Sequence, residues 1–130
     1  MILVDSSVWI DYFNGVRAPA TNRLDYLLTH EPLFIGDIIL TEVLQGFTKD
    51  ADFKYAKSLL SKLQFREMLG KDVALQSAIN YRLLRKRGIT IRKTLDVMIA
   101  TFCVMHNFSL LHNDRDFRVM EQLLGLTTVN

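Results

Sequence analysis

The chain opens on MILV, four apolar residues in a row, and a charged residue, Asp5, ends the run at once. A strand with one wet face alternates apolar and polar residues, whereas an unbroken run suits a strand buried on both faces, the situation of a parallel sheet covered by helices. Parallel neighbours need long crossovers between them. The remainder of the chain is therefore expected to alternate strands with helices.

The pattern downstream agrees. Ser6 or Ser7 can cap a short helix through Trp9, Ile10 and Phe13, and a second amphipathic helix follows Pro19 with Leu24, Leu27 and Leu28 on one face. PLFIG at 32–36 reads as a strand, and Asp37 can cap the helix that carries Glu42. Apolar residues at 53, 56, 59, 60 and 63 recur at helical spacing, and Gln64 to Arg66 add a short strand. A long helix over 71–87 is expected to bury Val73, Leu75, Ala78, Ile79, Leu83 and Leu84, with Gly88 at its left-handed C-terminal cap. Thr94 caps a helix running to about 106 that is apolar nearly all round and so belongs in the interior. Phe108 to Leu111 forms a strand, 115–124 a helix and Thr127 to Val129 a terminal strand. These elements predict an α/β sandwich around a short parallel sheet, with ligands bound at the carboxyl ends of the strands.

At 130 residues, 49% of them hydrophobic and with only 6 Gly and 2 Pro, the chain suits one compact domain spanning 1–130, without linker or tail. No run approaches the roughly 18 apolar residues of a membrane span, and no basic region precedes the first apolar run, so a cytoplasmic location without membrane attachment is expected. Cys103 is the single cysteine, which excludes an internal disulfide and a thiolate metal cluster.

Four separated acids each adjoin an apolar run: Asp5 after MILV, Glu42 within IILTEVLQGF, Asp96 at the start of TLDVMIATFCVM, and Asp114 after SLLHN. Each has a simpler reading taken singly. Asp5 and either Asp114 or Asp116 could cap the helices that follow them, and Glu42 could face water. Asp96 resists such a reading best, because an unpaired carboxylate at the head of a buried helix costs several kcal/mol, roughly, unless a cation or strong donors meet it. Carboxylates gathered in one cleft repel, and a divalent ion removes the conflict. Oxygen-only ligands, with no His-x-x-x-His spacing, point to Mg²⁺ or Mn²⁺. Such a site predicts phosphodiester hydrolysis by activated water. The net charge of +2 argues weakly for a polyanionic partner, but Arg82, Arg85, Lys86, Arg87, Arg92 and Lys93 crowd into one stretch before Asp96. They either hold phosphates near the acids or offset a helix dipole.

The segments MILVDSSVWIDYF, TEVLQGF, TLDVMIA and LLHNDRDF, in this order, resemble the PIN-domain nucleases, and among them the VapC-type toxins. The resemblance covers essentially the whole chain and implies an α/β/α sandwich on a short parallel sheet. It implies a Mg²⁺- or Mn²⁺-dependent endoribonuclease whose catalytic acids are Asp5, Glu42, Asp96 and Asp114, with Asp5, Asp96, Asp114 and Asp116 as candidate metal ligands. Ser6 or Ser7 matches a small polar position beside the first acid that positions water or substrate. His112 stands where the family often has Ser or Thr, and with Arg92 and Lys93 it joins the residues expected to position substrate. The resemblance further implies an RNA substrate such as transfer or ribosomal RNA, inhibition of translation, a VapB-like antitoxin whose extended segment covers the acids, and a homodimer. The stretches Trp9 to Phe13 and Phe53 to Leu63 offer apolar surface for such contacts or, more simply, for the core.

Other readings meet specific obstacles. A haloacid-dehalogenase-like phosphatase needs a second acid two residues after the first, where Ser7 stands, and a receiver domain needs a late lysine, which the chain lacks after Lys93. A non-catalytic RNA-binding or regulatory PIN domain, and an RNA-processing nuclease that is not a toxin, remain as alternatives.

Overall fold

The computed structural model describes residues 1–129. Its elements run β1 (Ile2–Val4), α1 (Ser6–Phe13), α2 (Pro19–His30), β2 (Leu33–Gly36), α3 (Asp37–Leu44), α4 (Asp50–Leu60), β3 (Gln64–Arg66), α5 (Lys71–Lys86), α6 (Thr94–His106), β4 (Ser109–Leu111), α7 (Arg115–Leu124) and β5 (Thr128–Val129). The five strands form one wholly parallel sheet in the order β3-β2-β1-β4-β5. Leu3 and Val4, on opposite faces of β1, are both fully buried, as the apolar run demands. The two edges are short: β3 is exposed throughout and β5 has only two residues, which limits pairing with other chains.

Right-handed crossovers place the helices after β1 and β2 on one face and those after β3 and β4 on the other. The packing agrees. Helix α1 lies against α2 and α3, and α3 against α4, whereas α5 packs on α6 and α6 on α7. The result is an α/β/α sandwich. The interior is filled by Trp9, Phe34, Phe102 and Phe117, and Phe34 packs its ring on both Phe102 and Phe108. Cys103 is buried in this core, where loss of solvent pushes its thiol up to about 12.

Several local expectations are corrected. Asp5, rather than Ser6 or Ser7, caps α1, its carboxylate accepting the Ser7 N–H. Asp37 is the first residue of α3 and not its cap; its Oδ1 accepts the N–H groups of Ile38 at 2.8 Å and Met68 at 3.0 Å, tying α3 to the segment after β3. Thr94 likewise begins α6, behind an N-cap at Lys93 that has no side-chain bond. The largest difference concerns α5. Its buried face is Val73, Ser77, Asn80 and Leu84, while Leu75, Ala78, Ile79 and Leu83 face outward, Leu75 and Ile79 each 57% exposed. Asn80 can be buried because its Nδ2 donates to Thr101 Oγ1 at 3.0 Å and its Oδ1 accepts from Gln76. Two stripes at helical spacing compete on one helix, and the hydrogen-bonded one is inside.

Candidate functional site

The strand order reverses direction beside β1: β2 lies on one side of it and β4, reached by a long crossover, on the other. At such a switch point the chain diverges to both faces and leaves a crevice beyond the carboxyl ends of the strands. Asp5 follows β1 directly, its N–H extending the ladder to Leu111 O at 2.9 Å, and Asp114 lies three residues past β4. Helices α3 and α6 bring Glu42 and Asp96 to the same edge. Asp5, Glu42, Asp96 and Asp114 thus line one cavity of about 200 Å³, together with Ser6, Ser7, Ile10, Gln45 and Lys93.

Each side chain is held by its own local structure. Asp5 is buried, and its Oδ2 takes both the backbone N–H and the hydroxyl of Ser7. Oδ1 of Asp5 is buried with no hydrogen-bond partner among the described residues. Ser6 donates its hydroxyl to Glu42 Oε1 at 3.1 Å. Asp114 caps α7 by accepting the Asp116 N–H at 2.9 Å, and its own N–H donates to His112 Nδ1 at 3.1 Å. Arg92 bridges the last pair, with Nη2 3.5 Å from Asp114 and Nε 3.3 Å from Asp116. Oxygens of Asp96, Asp114 and Asp116 lie within 4.8 Å of one another.

The electrostatics match this crowding. Burial raises the carboxyl pKa of Asp5, and the nearby Glu42 charge adds to the rise. Asp96 is pushed from 3.8 up to about 7, first by burial and then by the Asp5 and Asp114 charges, with Lys93 opposing. Acids that cannot all ionise, an unpartnered buried carboxylate oxygen and an all-oxygen donor set fit a hard divalent cation. Asp96, Asp114 and Asp116, whose oxygens cluster, could hold it, with Asp5 in the same cavity as Asp96 and Asp114.

The PIN-domain family model matches residues 2–123. The chain belongs to the PIN-domain family. It is 30% identical over 131 aligned residues to the VapC ribonuclease Mb1587 of Mycobacterium bovis and to ribonuclease VapC11 of Mycobacterium tuberculosis, covering 97% of this chain and 96% of each relative. Among solved structures it resembles VapBC2 from Rickettsia felis, bound to a DNA fragment from its promoter, with a TM-score of 0.78 at 19% identity, covering 100% of this chain and 98% of that one. It also resembles VapBC-1 from nontypeable Haemophilus influenzae, with a TM-score of 0.74 at 19% identity and the same coverage.

In this PIN domain the basic run of the sequence divides. Arg92 and Lys93 reach the acids, while Arg82 and Arg85 line a separate groove between α5 and α6 with Tyr81, over whose ring Arg85 lies. Arg85 and Lys86 sit in the last turn of α5, where they offset its dipole. His112 lines the neighbouring opening and not the acid cavity; burial lowers its pKa, and its ring packs on Phe117. Gln45 escaped the sequence reading, although its place three residues after Glu42 on the same helical face was a usable signal.

Proposed function

We propose that this PIN domain is a divalent-metal-dependent endoribonuclease acting as the toxin of a toxin–antitoxin pair. The observation that carries the proposal is the convergence of Asp5, Glu42, Asp96 and Asp114 on one cavity, with an Asp5 oxygen buried and unpartnered. The ribonuclease names of the two mycobacterial relatives support the activity, and the VapBC neighbours support an antitoxin partner of the VapB kind.

When bound, Mg²⁺ or Mn²⁺ supplies a Lewis acid for water and for a phosphodiester oxygen. The protein does the rest by placement. Ser7 holds Asp5 through Oδ2 and leaves Oδ1 free to take a cation, and the α6 N-terminus would favour ionised Asp96 once a cation offset its neighbours. Glu42, steadied by Ser6, is positioned to take the proton of the attacking water. Lys93 at the rim meets the phosphate, and Arg92 holds Asp114 and Asp116 in register. An antitoxin segment lying across the same rim would shut out RNA. The exposed ladder Leu75, Ile79 and Leu83 on α5, with Leu95 at the head of α6, supports a homodimer through that face.

The test is to incubate purified, antitoxin-free protein with total cellular RNA in Mg²⁺ or Mn²⁺, beside Asp96→Asn and EDTA controls, and to sequence the new 5′ ends. Discrete cuts absent from both controls are expected, at sites in transfer or ribosomal RNA. A folded protein that cuts nothing in either metal would support the non-catalytic RNA-binding alternative. Growth arrest on expression, abolished by Asp5→Asn, separates a toxin from a processing nuclease.

A further inference from the structure

A second opening, of about 390 Å³, lies beside the acid cavity between the start of α2 and α7, and is lined by Arg23, His112, Asn113, Arg118 and Glu121. Its volume is within the range of small-molecule pockets. The two openings share a wall: residues 112 and 113 face this cleft and Asp114 faces the acids.

The cleft contains an unmet hydrogen bond. His112 has a side chain only 3% exposed, and its Nδ1 accepts the Asp114 N–H, so a neutral imidazole carries its proton on Nε2. That Nε2 is buried with no hydrogen-bond partner among the described residues. Glu121 Oε2 is nearest at 3.8 Å, too far for a hydrogen bond, while Oε1 of the same carboxylate takes the Thr128 hydroxyl. The buried imidazole and the Glu121 carboxylate therefore stand side by side in the wall of a cavity that Arg23 and Arg118 also line. The base-pairing edge of every nucleobase offers a donor to such a carboxylate. The carboxylate disfavours a phosphate lying directly on it, whereas Arg23 and Arg118 suit phosphates flanking a seated base.

We propose that this cleft binds a nucleotide of single-stranded RNA adjoining the bond to be cut, seating its base against Glu121 and the His112 ring and holding its phosphates with Arg23 and Arg118. The proposal rests on the nuclease reading for the position of the cut bond. It assigns base binding to a site outside the acids.

The test uses the full chain in EDTA, where binding is separated from hydrolysis. NMR spectra of the histidine rings and arginine side chains would be followed during titration with the four nucleoside 5′-monophosphates and, separately, inorganic phosphate. Nucleotides are expected to shift the signals of His112, Arg23 and Arg118, and to do so more strongly than phosphate does. The double variant Arg23→Ala/Arg118→Ala should bind a fluorescent single-stranded oligoribonucleotide about tenfold or more weakly at an unchanged melting temperature. Glu121→Gln should change the ranking of the four nucleotides, which a purely structural Glu121 would not do. No nucleotide shift at His112, equal shifts with inorganic phosphate, or oligonucleotide affinity within about twofold in the double variant would each overturn the proposal. RNA cleavage indifferent to the double variant would overturn the cleft alone. Nucleotide binding here without cleavage by the metal-loaded wild type would overturn the nuclease reading and leave the cleft standing.

Discussion

Asp96 links the electrostatics of the site to the stability of the chain. Its carboxyl, pushed from 3.8 to about 7 chiefly by burial, stays protonated in the metal-free fold at pH values where the unfolded chain ionises it. A folded-state pKa above the unfolded one contributes stability that is full below about pH 4 and lost as pH rises through about 7. Stability is therefore lost across that window, and Asp5, raised in the same direction, adds to the loss. Urea unfolding in EDTA at about pH 5 to 8 should show stability falling with pH in the wild type and a much flatter dependence in Asp96→Asn. Equal slopes would refute the assignment. Metal binding needs the ionised acids, so Mn²⁺ should raise the melting temperature more at about pH 8 than at about pH 5.5, and calorimetry in two buffers should register proton release.

At the scale of elements, two devices hold the helices on the sheet. Gly36 ends β2 against Met68: a Cβ there would sit 2.0 Å from the Met68 sulfur, and Met68 is buried. Gly36→Ala should cost about 1–3 kcal/mol in denaturant unfolding, and the double variant with Met68→Ala, which removes the obstructing atoms, should lose less than the sum of the two single losses. Full additivity of the two losses would show that the close approach is not the cause. The second device is the buried bond from Asn80 to Thr101, which joins α5 to α6. Asn80→Ala should destabilise the protein by ~1–3 kcal/mol, because it removes a buried partner and leaves a void. An unchanged unfolding midpoint would mean that the polar stripe does not anchor α5. The sequence reading placed the apolar stripe inside since periodicity was its only guide, and both stripes of α5 satisfy the helical period equally well.

For the molecule as a whole, the outward turn of Leu75, Ile79 and Leu83 leaves an apolar ladder that no other described residue covers. Light scattering should report about twice the chain mass for the wild type and a single chain for Ile79→Lys, whose melting temperature should also lose its dependence on protein concentration. A wild-type monomer at high concentration would remove the α5 face from consideration. The wholly parallel sheet, the succession of its strands and helices along the chain, Asp5 and Asp114 past their strands and Asp96 in the first turn of its helix were legible in the sequence, because each is written in a few consecutive residues. An unbroken apolar run, a helical period and a cap are local signals that water and backbone geometry enforce wherever they occur. Tertiary structure decided which stripe of α5 is buried, which acids share a cavity and that His112 faces a cleft of its own. Those outcomes depend on partners far apart in the chain: Asn80 with Thr101, Ser6 with Glu42, Arg92 with Asp114, α2 with α7. No local pattern records such pairings, since the energy that selects them exists only once both partners have left water together.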